Sequence, residues 1–371
     1  MIHKSLTPRS RQLLAIVRRK GALSRAGLIR ETGLSGTAVF RATEELEKAG
    51  LVTVGAPVAE GRGQPSAKIS LVADAVFSLG ITLMADRTEL VLLDLSGVIR
   101  AREYVAPPRM KREKVLEQCQ QFAARKLAEL GVGMDRLVGV GVAIAGFFLE
   151  DGTINPGREL DDWALIPFAS DIERRFRVPV KVENIATAAA IAECLLGVGA
   201  DYRSFCYLNF ALGLGGGIIL DSQPMRGRAG NAGEIAGLFD AAGLPVPNLG
   251  SLFAEVNRHG GRFETLTEML GAIEPDSPGV QTWVNQHVEG FRFLFSALHC
   301  TLDVDAIVLG GRLPAELATR IIETVRWEET RKPSRRGRPA PAPTLCVARL
   351  PPETAAPIGA AALLLGDLLS G

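Results

Sequence analysis

The spacing of apolar residues at the start of the chain predicts three short helices. Apolar residues recur at helical intervals after Thr7, after Ser24 and after Ser35, and a serine or threonine hydroxyl is a favoured N-cap. Leu28 and Ile29 are expected to face the core from the second helix. The predicted helices cover 8–20, 25–31 and 36–49.

Two strands are predicted after these helices. The turn Thr32-Gly33-Leu34 contains the glycine that lets the second and third helices cross sharply. Residues 51–54 and 68–71 alternate apolar and polar positions, and the segment 60–66 between them is rich in glycine. This order predicts a winged helix-turn-helix with Arg62 near the tip of the wing.

The third helix leaves polar positions on its N-terminal half, the part that a recognition helix places in the major groove. Hydroxyl groups can bond phosphates or base edges, arginine can bond guanine or phosphate, and Arg62 on the wing could reach a minor groove. The alternatives are a solvated helix face and, for Arg62, a flexible exposed hairpin. The positions predicted to contact DNA on the helix are Ser35, Gly36, Thr37, Phe40 and Arg41.

The first 72 residues, which we call the head, differ in net charge from the rest of the chain. Residues 1–72 contain twelve Lys and Arg against five Glu, a net charge of +7. The whole chain carries +1, so the remainder carries −6. A basic head on an acidic body indicates a polyanionic partner for the head alone.

Alternating strand and helix patterns from residue 77 onward predict an α/β body. Two βββαβα-like halves, each opening with a hairpin, would form two lobes around a cleft. The basic stretch 331–343 is expected to be a solvated loop, with a minor-groove contact as the alternative. Strands are predicted over 77–83, 90–95, 137–144, 178–182, 205–210, 218–221 and 306–309. Helices are predicted over 111–130, 168–176, 186–196 and 288–300.

The bulk composition excludes several classes of protein. The 371 residues are 47% hydrophobic and 22% charged, as in an ordinary globular protein. The N-terminus lacks the apolar segment of a signal peptide, and no apolar run reaches the ~20 residues of a membrane span. Five scattered cysteines suit buried thiols in a reducing compartment. We therefore expect a cytoplasmic protein without a membrane partner.

Several motifs in order resemble the ROK family, in which repressors and sugar kinases share an actin-like ATPase fold. The head motifs are Leu23-Ser24-Arg25, 32–35 and 61–66, and the body motifs are 155–157, 179–184, 230–235, 307–311 and 358–361. The resemblance implies an α/β protein with an N-terminal winged helix-turn-helix and a two-lobed actin-like ATPase fold. It adds Ser24 and Arg25 to the predicted DNA-binding residues.

This chain departs from the kinases of that family at the positions that handle phosphate. Thr82 stands where the kinases carry an acid, Met84-Ala85 replaces two glycines, and Ala211-Leu212-Gly213 replaces Gly-Thr-Gly. Ile185 stands in place of the aspartate that accepts the proton of the sugar hydroxyl, and isoleucine cannot accept one. We therefore expect no catalytic residues and no enzymatic activity.

The resemblance also bears on metals and ligands. Related proteins carry a zinc site after the Gly-Glu motif, whereas Leu238 and the segment 244–251 offer no thiol or imidazole, so neither zinc nor another cofactor is expected. Leu238 also replaces a sugar-facing His and Phe253 a sugar-contacting Glu, which favours a modified or less hydroxylated sugar. A vestigial pocket is the alternative. The residues implied to contact the ligand are Asn155, Glu183, Asn184 and Glu234.

Together these patterns predict a DNA-binding transcriptional regulator, more a repressor than an activator, that responds to a sugar or sugar derivative. The expected domains are a head, 1–72, and a sensor, 73–371, with lobe one at about 75–187 plus the C-terminal helix and lobe two at about 188–354. A homo-oligomer, dimer or tetramer, is expected on a double-stranded operator. The alternatives are a regulator controlled by a protein partner without a small-molecule effector, and an active sugar kinase.

Overall fold

A computed structural model describes residues 6–58, 66–105, 111–327 and 334–369 of the chain. The chain divides into two compact units. The first unit contains Met1–Ala143, Pro167–Glu183 and Ala360–Gly371, and the second contains Ile144–Ile166 and Asn184–Gly359.

The head begins the first unit with helices α1 (Pro8–Lys20), α2 (Arg25–Thr32) and α3 (Gly36–Lys48). Thr7, Ser24 and Ser35 each accept a hydrogen bond from a backbone N–H in the first turn, which confirms the predicted N-caps. Leu28 is fully buried, but Ile29 is 36% exposed, so the prediction that both face the core is wrong for Ile29. Adjacent helical residues point about 100° apart, and a short helix buries only one narrow face.

The strands β1 (Leu23–Ser24), β2 (Val52–Val58) and β3 (Ser66–Leu71) pair in the order β1-β3-β2. The two predicted wing strands are confirmed, each somewhat longer than expected. β1 was not predictable because two residues are too few to show an alternating pattern. The segment between β2 and β3, with Arg62, lies outside the described residues.

A sheet with the strand order β10-β7-β4-β5-β6 forms the body of the first unit. Every residue of its strands β4 and β5 is buried, as strands covered on both faces require. The strands are β4 (Phe77–Leu83), β5 (Thr88–Asp94), β6 (Ile99–Val105), β7 (Leu137–Ile144) and β10 (Val180–Asn184). The accompanying helices are α4 (Arg112–Glu129) and α5 (Phe168–Phe176).

The second unit has a sheet in the order β13-β12-β11-β14-β17 and a small hairpin, β8–β9. Its strands are β8 (Phe147–Phe148), β9 (Ile154–Asn155), β11 (Phe205–Phe210), β12 (Leu214–Leu220), β13 (Gln223–Pro224), β14 (Ala306–Gly311) and β17 (Thr344–Val347). Its helices are α6 (Ile185–Leu196), α7 (Ala236–Ala242), α8 (Leu249–Arg258), α9 (Leu266–Ala272), α10 (Pro278–Leu302) and α11 (Ala315–Val325). The helix α12 (Ala355–Leu369) ends the described chain. The predicted α/β body is confirmed.

Three elements differ from their predicted positions. The glycines 213–217 were expected between strands, yet most lie inside β12, where a Cβ atom at Gly217 would lie 2.4 Å from the Ala186 carbonyl oxygen of α6. Glycine there lets the helix pack directly on the strand. α10 begins at Pro278, well before the predicted 288, because proline at the first helical position starts a helix. β10 is shifted from 178–182 because Pro179 has no N–H to donate to a sheet.

The basic stretch 331–343 contains a hairpin rather than only a loop, formed by β15 (Ser334–Arg335) and β16 (Arg338–Pro339). Arg336 and Gly337 have φ values of 54° and 70°, the positive values that a type I′ turn requires. The sequence did not predict this turn, because the surrounding stretch is rich in proline and arginine and its composition is typical of a loop. Residues 331–333 lie outside the described part.

Two expectations from composition can be compared with the structure. Cys119 and Cys206 are buried, but Cys300 is exposed, so the expectation of buried thiols is only partly confirmed. Within the ranges that the structure describes, no helix combines the length and the apolar character needed to cross a bilayer.

Candidate nucleic-acid interface and candidate effector site

The N-terminal half of α3 presents the face that the sequence predicts. Val39 and Leu46 are fully buried in the core of the head, and Phe40 between them is 44% exposed. The exposed positions on this half are Ser35, Gly36, Thr37, Phe40 and Arg41. These residues form one polar and aromatic surface that a partner can approach.

Side chains of the turn fix the start of α3. Gly33 has φ 68°, the Thr32 hydroxyl donates to the Leu28 carbonyl at 2.7 Å, and the Leu34 N–H donates to the Thr32 hydroxyl at 3.2 Å. The Ser35 hydroxyl accepts from the Ala38 N–H at 3.3 Å. The direction of α3 is therefore set within the turn itself.

Arg25 and Phe40 contact each other across α2 and α3. The Cζ atom of Arg25 lies 5.0 Å from the centroid of the Phe40 ring, within the range of a cation–π interaction. Ser24, just before it, caps α2 by accepting from the Gly27 N–H at 3.1 Å. Ser24 and Arg25 thus have structural contacts at the start of α2 that hold Arg25 beside the exposed face of α3.

An open groove of about 470 Å³ lies between the N-terminus of α1 and α3. It brings two cationic residues, Arg9 and Arg41, to the same depression. The groove is lined by Thr7, Pro8, Arg9, Ala38, Arg41, Ala42 and Glu45. The charged side chains of the groove are therefore two arginines and one glutamate, Glu45.

Glu45 joins α1 to α3 on the floor of this groove. Its carboxylate accepts from the Thr7 N–H at 2.8 Å, from the Thr7 hydroxyl at 3.0 Å and from the Ser10 hydroxyl at 2.7 Å. Burial alone would raise the pKa of Glu45, but these hydrogen bonds together lower it. Sequence reasoning missed this residue, because its partners lie in another helix.

Arg18 connects the head to the sheet of the first unit. Its Nε donates to the Leu95 carbonyl, just after β5, at 3.2 Å. Burial lowers the pKa of Arg18, although the nearby Asp94 raises it. Arg100 also bonds Asp74, in the segment between head and body, and Asp94. The head therefore has specific polar contacts with the body as well as a covalent connection.

The candidate effector site in the second unit centres on Asn184, at the N-terminus of α6. Its Oδ1 accepts from the Ala186 N–H at 2.8 Å, and its Nδ2 donates to the Gly146 carbonyl at 2.9 Å and to Glu234 Oε1 at 3.3 Å. Although Glu234 is exposed as a residue, burial of its carboxyl group raises its pKa. Two of the predicted ligand residues are thus in contact.

Asn231 closes the other side of this site. Its Oδ1 accepts from the Phe148 N–H at 2.7 Å, and its Nδ2 donates to the Phe148 carbonyl at 2.8 Å. This pair of bonds joins the segment that carries Glu234 to the hairpin β8–β9. The sequence signal was available, since Asn231 belongs to the motif 230–235, but the backbone partner was not predictable.

The remaining predicted ligand residues lie at two different places. Asn155 is the last residue of β9 and pairs with Phe147 across the hairpin. Glu183 is 3% exposed near the end of β10 and belongs to the first unit. The second unit thus contains Asn155, Asn184 and Glu234, whereas Glu183 belongs to the first unit.

The structure describes three positions at which the resemblance leads us to expect a loss of phosphate chemistry. Ile185 is the first residue of α6 and is 9% exposed, and Met84, at the end of β4, is equally buried. In the loop Ala211-Leu212-Gly213 the Ala211 N–H donates to the Gly213 carbonyl at 2.9 Å, so this loop closes on itself. The Leu212 side chain is 42% exposed.

The head and the body together define a class of protein, in which a winged helix-turn-helix precedes a sugar-kinase-like α/β body. The ROK family profile matches residues 78–238, and the MarR family profile matches residues 5–63. The uncharacterized protein y4fQ of Sinorhizobium fredii is 30% identical over 89% of this chain and 84% of its own length. This chain belongs to the ROK family, and its architecture is that of the family's transcriptional regulators.

Two further comparisons agree with this assignment. The xylose repressor of Caldicellulosiruptor bescii is 28% identical over 57% of this chain, and the match spans only 54% of that repressor. The crystal structure of a ROK family transcriptional regulator, a homologue of the Escherichia coli MLC protein, superposes with a TM-score of 0.71 over 97% of this chain and 96% of its own length. At 18% identity it shows a shared fold.

Proposed function

We propose that this protein is a transcriptional repressor that binds operator DNA through its winged head and responds to a sugar or sugar derivative bound by its body. The observation that carries the proposal is the exposed face of α3 in a head with a net charge of +7. DNA binding is assigned to residues 1–72 and effector binding to residues 73–371. The resemblance to xylose repressors favours a repressor of sugar metabolism.

The DNA-binding part of the proposal rests on charge and shape. A recognition helix needs a polar N-terminal half that is free to enter a major groove, and α3 has one. Arg9 and Arg41 meet in one groove, where they would bind phosphates. We propose that a homo-oligomer places two such heads on half-sites one helical turn apart.

The effector part rests on a cluster of amide and carboxylate groups. Asn184 and Glu234 offer donors and acceptors of the kind that bind paired hydroxyls. We propose that Asn155 and Glu183 complete the set. Binding would favour one conformational state of the protein over another, since a ligand shifts an equilibrium only through different affinities for its states.

We propose that the same site does not catalyse phosphoryl transfer. A carboxylate must accept the proton of the attacking hydroxyl, and Ile185, at the start of α6, has no group that can accept it. We propose that the site has no catalytic residue and, because Leu238 and the segment 244–251 offer no thiol or imidazole, no zinc. A coupled ATPase assay with a panel of sugars tests this point, and turnover abolished by Asn184→Ala would establish an active kinase instead.

Fluorescence anisotropy of a labelled duplex tests the DNA-binding claim. Arg41→Ala should weaken binding about tenfold, in keeping with the 1–3 kcal/mol of a specific arginine contact. The matched control is Arg203→Ala, which removes an exposed arginine of the second unit. The Arg203 guanidinium group lies 3.6 Å from the Asp221 carboxylate. Equal affinities for the two variants would contradict the assignment of α3.

A regulator controlled by a protein partner is the second candidate, because Leu238 and Phe253 stand where the resemblance places a sugar-facing His and Glu, and both pack against the apolar core of the second unit. Thermal shift with sugars, amino sugars and sugar phosphates separates the two candidates. An increase in Tm with one of these compounds supports a small-molecule effector. An unchanged Tm with all of them supports the partner.

A further inference from the structure

The hairpin β8–β9 carries an exposed aromatic side chain beside a predicted ligand residue. Phe147 is 42% exposed, and its partner across the hairpin is Asn155. Directly paired residues of antiparallel strands place their side chains on the same face. The Phe147 ring and the Asn155 amide are therefore neighbours on one surface of the hairpin.

The backbone on both sides of Phe147 is held by residues of the candidate effector site. The carbonyl of Gly146 accepts from Asn184 Nδ2 at 2.9 Å, and the N–H and carbonyl of Phe148 bond the Asn231 amide at 2.7 and 2.8 Å. Phe147 thus lies in a short segment that three hydrogen bonds attach to the polar cluster. A ring in such a segment is pre-positioned, which reduces the entropy lost when a ligand contacts it.

A second exposed apolar residue flanks the same hairpin. Leu165 is 55% exposed and has φ 57°, and its N–H donates to the Ile154 carbonyl, one residue before Asn155, at 2.9 Å. A left-handed conformation is strained for a residue with a side chain. The exposure of the Leu165 side chain to water is also unfavourable. A ligand that covers Leu165 would remove this side chain from water.

The Glu234 carboxyl group argues against an anionic group placed beside it. The Glu234 carboxyl group contacts Asn184, and burial already disfavours its negative charge. A phosphate placed nearby would add repulsion between like charges. An uncharged ligand with hydroxyls on one side and an apolar group on another fits the described residues better.

We propose that Phe147 is a ligand-binding residue and that the effector is an uncharged glycoside with an apolar aglycone. The inference rests on the proposed function and specifies its ligand class. In this proposal the sugar hydroxyls bond Asn184 and Glu234, which contact each other, and Asn155 on the hairpin. The aglycone lies on the ring of Phe147, where aromatic contacts stabilise a complex by about 0.5–1.5 kcal/mol beyond the area that they bury.

Calorimetric titration of the full chain with methyl and phenyl β-D-xylosides and β-D-glucosides tests this proposal. The phenyl glycoside of the preferred sugar should bind about 3–10-fold more tightly than the methyl glycoside, the ratio that such a contact energy gives. Phe147→Ala should reduce this ratio to about one, because it removes the ring that the phenyl group contacts. Phe147→Tyr should keep the ratio.

The control is Leu196→Ala, which removes another side chain of the second unit that is 42% exposed. A ratio that Phe147→Ala leaves unchanged, or an equal loss of affinity for both glycosides, would overturn the role of Phe147. Binding of free sugars or sugar phosphates without any binding of phenyl glycosides would overturn this inference alone. If no sugar compound binds, the effector part of the proposed function fails as well.

Discussion

At the scale of single residues, the exposed ring of Phe40 explains the position of Arg25. A phenylalanine that is 44% exposed gains little from burial, but its ring lies 5.0 Å from the Arg25 guanidinium carbon. Arginine loses side-chain entropy when it is ordered, so prior ordering by the ring reduces the cost of binding a phosphate. We infer that Phe40 is a positioning residue for Arg25.

Replacing Phe40 should therefore weaken DNA binding without unfolding the head. Phe40→Leu should reduce duplex affinity about 2–5-fold, the equivalent of the 0.5–1 kcal/mol of an exposed cation–π contact. Phe40→Trp should restore it, and anisotropy titrations measure both. In a protein that already carries Arg25→Ala, Phe40→Leu should cause no further loss of duplex affinity. A full additional loss in that background would show that Phe40 acts independently of Arg25.

Glu45 makes the stability of the head depend on pH. Its hydrogen bonds lower its pKa in the folded state despite the opposing effect of burial. The folded state therefore binds this proton more weakly than the unfolded state does. The stabilisation is complete above the unfolded-state pKa and is lost as the pH falls through the folded-state pKa.

Glu45→Ala should accordingly lower the stability of the head at neutral pH, on the order of 1 kcal/mol, as for the loss of a helix cap. The difference from the wild type should disappear at acidic pH. Urea unfolding followed by circular dichroism at several pH values measures it. Glu47→Ala, an exposed neighbour on the same helix, is the control. A Glu45→Ala difference that persists in acid would show that the carboxylate charge is unimportant.

At the scale of elements, α1 is attached to the turn after β5 by Arg18. Arg18 is half-buried, its guanidinium group bonds the Leu95 carbonyl and lies close to Asp94, and it has therefore exchanged part of its water for protein partners. A buried charge that loses such partners is costly. This contact links α3, through α1, to the first sheet of the body.

Arg18→Ala should separate the unfolding of the head from that of the body. Differential scanning calorimetry should show an earlier transition for the head in the variant, lower by a few degrees for a loss of about 1 kcal/mol. Arg19→Ala removes the adjacent exposed charge and should leave the transition unchanged. Identical calorimetric traces for both variants would mean that Arg18 does not couple head and body.

The elements differ in how well the sequence predicts them. Helices with a capping residue and a glycine stop, such as α3, are predictable because the signals are local. β1 and the β15–β16 hairpin are not, since two-residue strands have no period. The glycines of β12 were wrongly predicted to lie between strands. They are needed because α6 approaches the strand closely, and the sequence alone does not show this tertiary contact.

At the scale of the whole molecule, the order of motifs was sufficient to predict the ROK architecture, which the family and structural matches confirm. The arrangement of the candidate effector site was only partly predictable. Asn184 and Glu234 are fifty positions apart, and their contact at 3.3 Å depends on the packing of the second unit. Phe147 escaped notice because an apolar residue in a short strand predicts burial, whereas this one is exposed.

The central claim is that the basic head of this regulator binds duplex phosphates. Its most direct test is the affinity for a fluorescent duplex over a range of salt concentrations. Because each neutralised phosphate contributes about 0.9 to the slope of log affinity against log salt, we predict a slope of about −4 or steeper. Binding that is independent of salt, or no binding at low ionic strength, would contradict the account.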